Sequence, residues 1–225
     1  MSKLRAKNIE PATGTTLTLG ASGDAIAVSS DSVQANTWQD TGGNSLFVSD
    51  GSGTLSSVNS GLGGGGYTLL STSTITTTTQ YVEITTGIDS TYDEYMFVMT
   101  DLATVTDNMH WGFQGSIDGG SNYNDLTYEG TKDQAQGTAY QPLILAVGNA
   151  ADKSGAGILH LFKPSNTTYV KQFYCRGATY EASDYSGDDF CAGYFNTTSA
   201  INAVRFGFET STSIANCVIQ MYGVS

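Results

Sequence analysis

His110-Trp111-Gly112-Phe113-Gln114-Gly115-Ser116-Ile117 alternates with a period of two. Trp111, Phe113, Gly115 and Ile117 share one face, and His110, Gln114 and Ser116 share the other, which is the pattern of a strand with one face in a core. Ala203 to Glu209 repeats it, with Val204, Phe206 and Phe208 opposed to Ala203, Arg205 and Gly207. Further candidate strands lie at Tyr67–Thr74, Gln80–Thr85, Glu94–Leu102, Met109–Asp118, Asn124–Glu129, Tyr140–Val147, Gly157–Phe162, Tyr169–Tyr174, Ala192–Asn196 and Cys217–Gly223. No window of eleven or more residues carries a helical period, and no capping box precedes an apolar run. So many strands divided by Gly, Asn, Asp and Ser turns predict an all-β fold, a double-sheet sandwich of jelly-roll type over residues 67–225.

Upstream the pattern changes. From Ala12 to Asn59 the chain is mostly Gly, Ser, Thr, Asp and Asn, with short alternating bursts at Thr15–Leu19, Ala25–Val28, Ser45–Val48 and Thr54–Val58. Such strands are too short and polar to build a core, so residues 1–60 read as an extended β arm that becomes ordered on a partner or among its own copies. Ser60-Gly61-Leu62-Gly63-Gly64-Gly65-Gly66 follows, and residues 61–66 read as a linker because four successive Gly carry a large entropic cost in any regular element. Outside the candidate strands, the other glycines are assigned to turns.

Composition excludes several function classes. Only 13% of the 225 residues are charged and the net charge is −12, which argues against a duplex nucleic-acid binder, since such a protein needs basic surface to displace counterions. No apolar run approaches the roughly 20 residues that cross a bilayer. The start, Met1-Ser2-Lys3-Leu4-Arg5-Ala6-Lys7, leads into Asn8-Ile9-Glu10-Pro11 and not into an apolar segment, so neither a membrane span nor a secretion signal is expected. Cys175, Cys191 and Cys217 are too few and scattered for a disulfide framework and read as small buried apolar residues, with a Cys175–Cys191 bridge as the alternative.

Charge is uneven along the chain. Lys3, Arg5 and Lys7 are followed by no basic residue until Lys132, and fourteen acids lie between. A positive tip of this kind is either a solvated chain end or an anchor for an acidic surface. On the second reading Lys3, Arg5 and Lys7, helped by Leu4 and Ile9, are the candidate docking residues.

Catalytic constellations are sparse. His110 and His160 both fall inside candidate strands, and neither a G-x-S-x-G elbow nor an H-E-x-x-H pair is present, so no catalytic residue and no cofactor is assigned. Glu181, Asp184, Asp188 and Asp189 form the densest acidic patch. They lack the ligand spacing of an EF-hand and read as a polar loop, with a weak calcium site as the alternative; no metal ligand is assigned. The loop Ser116–Asn124 lacks the Lys and the following helix of a phosphate cradle and reads as a turn. A Tyr-rich stretch including Tyr169, Tyr174, Tyr180, Tyr185 and Tyr194 fits half-buried strand residues or a platform for pyranose rings. Tyr169, Tyr180 and Tyr185 are the candidate glycan-binding residues.

Lys7 to Val28 resembles the N-terminal segments of structural proteins from tailed phages of marine bacteria, particularly short-tailed phages of cyanobacteria, and Leu46 to Gly61 is similar to the segment preceding their globular part. Gly87 to Phe97 and Ile219-Gln220-Met221-Tyr222-Gly223-Val224 are similar to the opening and final strands of fibre-like β domains in the same group. The resemblance implies a non-enzymatic virion protein, a fibre, head-fibre or capsid decoration subunit, in which the N-terminus attaches to capsid or tail proteins and a β-sandwich projects outward, commonly as a homotrimer. A host-glycan-binding adhesin at a fibre tip is the alternative. The chain is short for a receptor-binding tail fibre and shows no heptad or triple-helical shaft.

Overall fold

A computed structural model describes residues 37–39, 44–49, 52, 55–58, 66–123, 128–130, 140–209 and 212–224. The candidate docking residues Lys3, Leu4, Arg5, Lys7 and Ile9, the bursts Thr15–Leu19 and Ala25–Val28, and linker residues 61–65 lie outside them. The chain divides into two units, residues 1–64 and 65–225.

In the first unit β1 (Thr37–Gln39), β2 (Ser45–Ser49) and β3 (Leu55–Val58) form an antiparallel sheet in that order. Trp38 pairs with Phe47 across β1 and β2, and their rings stack at 5.6 Å. Cross-strand aromatic contact of this kind gives such short strands their register. Trp38 was not among the apolar bursts that the sequence singles out.

Among the described residues the second unit contains eleven strands: β4 (Tyr67–Ile75), β5 (Val82–Ile84), β6 (Glu94–Thr104), β7 (Met109–Ser116), β8 (Tyr128–Gly130), β9 (Gln141–Val147), β10 (Gly155–Phe162), β11 (Lys171–Tyr180), β12 (Ser186–Phe195), β13 (Ala203–Phe208) and β14 (Ile214–Val224). They form a seven-stranded sheet, β4-β14-β6-β10-β11-β12-β8, and a four-stranded sheet, β5-β13-β7-β9, with every pairing antiparallel. The pairing is nested: β4 joins β14, β5 joins β13, β6 joins β10 and β7 joins β9, alternating between the sheets.

The two sheets pack through one aromatic core. Phe113 and Phe206 of the small sheet meet Phe173, Phe195 and Phe97 of the large one at ring separations of 4.9, 5.3 and 5.3 Å respectively for Phe113–Phe173, Phe113–Phe195 and Phe97–Phe206. Trp111 is fully buried between Phe206 and Phe208. Its indole N–H donates to Met99 Sδ at 3.2 Å, so its one polar atom is not stranded in the core.

Two sequence expectations need correction. Ile117 was placed on the apolar face of β7, but the strand ends at Ser116 and Ile117 is exposed. Ser116 Oγ donates to Asp118 Oδ1 (2.6 Å) and accepts the Gly120 N–H, which turns the chain, and Gly119 and Gly120 supply the positive φ values. Glycine outside the candidate strands is also not confined to turns. Gly155 and Gly177 join Gly112, Gly115, Gly157, Gly207 and Gly223 within strands, where neighbouring groups press close to several of them.

Candidate functional site

The long hairpin β11–β12 extends the large sheet beyond the nested strands and supplies two of its seven strands. In β11 the side chains alternate without a break: Lys171, Phe173, Cys175, Gly177 and Thr179 point inward, and Gln172, Tyr174, Arg176, Ala178 and Tyr180 point outward. Register then places the outward residues in rows across the strands. Ala156 of β10 faces Ala178 of β11, which faces Asp188 of β12. In the next row Val98, Ile158, Arg176 and Phe190 are aligned, and in the one after it Met96, His160, Tyr174 and Ala192.

Ala156 and Ala178, the small residues of the first row, are the floor of a trough. On one side rise Tyr180 and Tyr185, 38% and 59% exposed; on the other stand Ile158 and the Arg176–Asp188 pair. Two open recesses, about 430 and 470 Å3, share Ala156 and Ala178 and so run into one another. Beyond Ile158 an aromatic stack continues the face. His160 stacks on Tyr174 at 4.5 Å, and Tyr174 stacks on Phe190 at 6.3 Å, with Phe190 57% exposed.

Both cations at the trough are paired with a carboxylate. Arg176 donates from Nε to Asp188 Oδ1 (3.3 Å) and from Nη2 to Asp188 Oδ2 (3.0 Å), a two-point contact that raises the guanidinium's proton affinity further. Lys153 Nζ lies 2.6 Å from Asp184 Oδ1, donates to the carbonyls of Glu181 and Ala182, and sits 4.9 Å from the centre of the Tyr180 ring. Bonding and proximity to Asp184 hold the Lys153 ammonium above its ordinary range. The Tyr185 phenol is raised by its hydrogen bond to the Glu181 carboxylate.

The sequence candidates separate on this face. Tyr180 and Tyr185 line the same recess. Tyr169 is exposed in the segment before β11, at the other end of a ten-residue strand, so it stands roughly 30 Å from Tyr180 at the usual rise per residue. The acidic patch is not one loop: Glu181 and Asp184 lie in the turn between β11 and β12, while Asp188 and Asp189 belong to β12. Asp188 faces outward to Arg176, and Asp189 is buried and accepts the Leu145 N–H at 2.8 Å. Among the described residues no group of three or more His, Cys, Asp or Glu is placed to hold a metal ion. The trough floor was missed in the sequence, because two alanines become a site only through the pairing of β10 with β11.

Both histidines are in strands and engaged. His110 Nδ1 accepts the Ala146 N–H (2.9 Å), and His160 Nδ1 lies 2.5 Å from Glu94 Oε1. Cys175 and Cys191 are opposite one another on β11 and β12, buried, with free thiols. On the small sheet Arg205 lies over the rings of Tyr81, Tyr123 and Tyr140 at 4.5, 4.6 and 5.6 Å and donates from Nε to Gln114 Oε1. These contacts make that cluster a cation–π brace across the strands. Comparison with protein families, with curated proteins and with solved structures finds no match to this chain.

Proposed function

We propose that the chain is a non-enzymatic structural subunit of a phage particle, a fibre, head-fibre or decoration appendage. Its N-terminal arm docks on capsid or tail proteins and its second unit projects outward as a jelly-roll sandwich. The observation that carries this reading is the nested strand pairing, first with last and second with second-last, alternating between two sheets. That order supports the jelly-roll reading, since a jelly roll closes eight strands into a double sheet and recurs in viral capsid and lectin domains. Here β8 and the β11–β12 hairpin are additions to the eight, and they widen one sheet. The likeness of residues 7–28 and 46–61 to phage structural proteins supplies the setting, and the basic tip supplies the anchor.

Deleting residues 1–30 tests the reading, because the truncated chain is expected to be missing from assembled particles while its second unit still folds. Normal occupancy of the particle by the truncated chain would overturn it. Homotrimer formation belongs to the same proposal, and native mass spectrometry of the full chain is expected to give a trimer mass. A second reading, a host-glycan-binding adhesin, is favoured by one observation, the aromatic-walled trough on the outer face of the large sheet.

A further inference from the structure

We infer that the trough over Ala156 and Ala178 binds an uncharged glycan chain, lying across β10, β11 and β12 with at least two adjoining sugar rings in contact. The inference deepens the adhesin reading and rests on it, since it names the ligand that the same face would hold.

Three features determine the ligand class. The first is shape. Side chains on a sheet face normally stand to similar heights, so a depression needs a row of small residues, and register supplies one in Ala156 opposite Ala178. Because the two recesses share this floor, the trough is longer than a site for one ring and open to solvent at its rim.

The second feature is the walls. Tyr180 and Tyr185 flank the floor on one side, and Ile158, with Tyr174 and Phe190 behind it, on the other. Pyranose rings present C–H groups on their faces, and the electron-rich face of an aromatic ring attracts the positive edge of such groups as it attracts a ring edge.

The third feature is charge. The chain carries a net charge of −12, yet both cations at the trough have a counter-charge in place, Arg176 with Asp188 and Lys153 with Asp184, and the Glu181 carboxylate accepts the Tyr185 hydroxyl. A phosphate, a sulfate or a uronic acid would have to break one of these pairs to gain a cation, and a cationic ligand would have to break one of them, or the Tyr185–Glu181 hydrogen bond, to gain an anion. An uncharged hydroxyl needs neither, because it donates to a carboxylate and accepts from a guanidinium or ammonium, and a matched pair offers both. Ser154, Ser186 and Thr100 at the recess margins add further groups that both donate and accept.

The test uses the full chain against immobilised uncharged polysaccharides (a β-glucan, a galactan and a mannan) and against two anionic ones, alginate and chondroitin sulfate. The expected result is retention by at least one uncharged polymer, tighter for oligosaccharides than for the matching monosaccharide. Retention should persist from about 0.1 to about 1 M salt, since neither partner's net charge drives it. Ala178→Trp fills the floor from the solvent side, and Tyr185→Ala removes a wall from an exposed turn where folding does not depend on it. Each should weaken binding by about tenfold or more, equivalent to about 1.4 kcal/mol, whereas Tyr169→Ala at the far end should bind as the unaltered chain does.

The inference is overturned if no uncharged polymer is retained. It is equally overturned if only the anionic polymers bind and salt releases them, or if both trough variants bind as well as the original. Particle incorporation of the arm-deleted chain is a separate readout, so loss of glycan binding with normal docking behaviour would remove the ligand and leave the appendage reading standing.

Discussion

At the residue scale, the glycines inside strands carry a constraint that composition hides. Gly112 in β7 lies where a Cβ atom would stand 2.4 Å from the Gln141 carbonyl oxygen and 3.0 Å from its carbon. Both are backbone atoms of the neighbouring strand β9, so no side-chain rotation relieves the clash. Gly112→Ala is therefore expected to destabilise the fold by about 2 kcal/mol or more, read as a lower melting temperature, and an unchanged melt would contradict the packing described. A sequence rich in Gly, with one run of four, invites assignment to turns and linkers. The need for glycine at these strand positions was not legible, because the demand for a missing side chain comes from another strand. The cysteines were legible, because Cys in a chain without a disulfide framework behaves as a buried apolar residue. Burial raises the Cys175 thiol, and raises Cys217 to about 12, so thiolate is scarce at neutral pH. A maleimide added to the native protein near pH 8 should leave Cys175, Cys191 and Cys217 unlabelled, and the same reagent in denaturant should label all three. Labelling of Cys175 or Cys191 in the native state would show that the β11–β12 hairpin opens.

At the element scale, most strands of the second unit were legible from alternation, and the β11–β12 hairpin was only half so. Tyr169–Tyr174 and Ala192–Asn196 mark its outer ends, but the middle read as a polar patch. The inward positions explain this: Cys175, Gly177 and Thr179 are small or polar, and the outward Arg176 and Asp188 are charged, so hydrophobicity does not follow the alternation that the backbone keeps. The Tyr180 and Tyr185 wall could be singled out from residue type alone, whereas Tyr169 was grouped with them by closeness in sequence, a criterion that an extended strand defeats.

The start of the hairpin carries a second unusual inward residue. Lys171 is fully buried, and its Nζ donates to the carbonyls of Tyr169 (2.9 Å) and Thr197 (3.1 Å). Desolvation lowers its proton affinity, so between its folded value and the ordinary value of about 10.4 the unfolded chain binds more protons than the native one. Stability from this residue accordingly rises as pH increases through that window, and the cost of burying the charge is greatest below it. In urea unfolding Lys171→Met should change stability most favourably at neutral pH, and its advantage over the original should shrink as the pH approaches 10. A difference between the two proteins that stays constant with pH would show that Lys171 is not desolvated.

At the scale of the whole molecule, the chain divides at residues 64 and 65, and the described core lies on the C-terminal side of that division. Among the described residues, every member of the buried hydrophobic cluster, from Val82 to Met221, belongs to the second unit, and the partly buried residues packed on it begin at Leu70. First and last strands are held together, since Tyr67–Ile75 pairs along Ile214–Val224, so the unit closes on itself close to where its chain begins. Domains with their own core fold alone, and a single core of this size normally unfolds in one step. Residues 65–225 expressed by themselves should therefore melt cooperatively, at the temperature of the corresponding transition in the full chain, and should keep the buried environment of Trp111 as read by its fluorescence. They should also retain any glycan affinity, because Ala156, Ala178, Tyr180 and Tyr185 all lie within them, while losing attachment to the particle. If the isolated unit failed to melt cooperatively, the core would depend on chain outside it, and the picture of an anchoring arm joined to an independent presenting domain would fail at its structural premise.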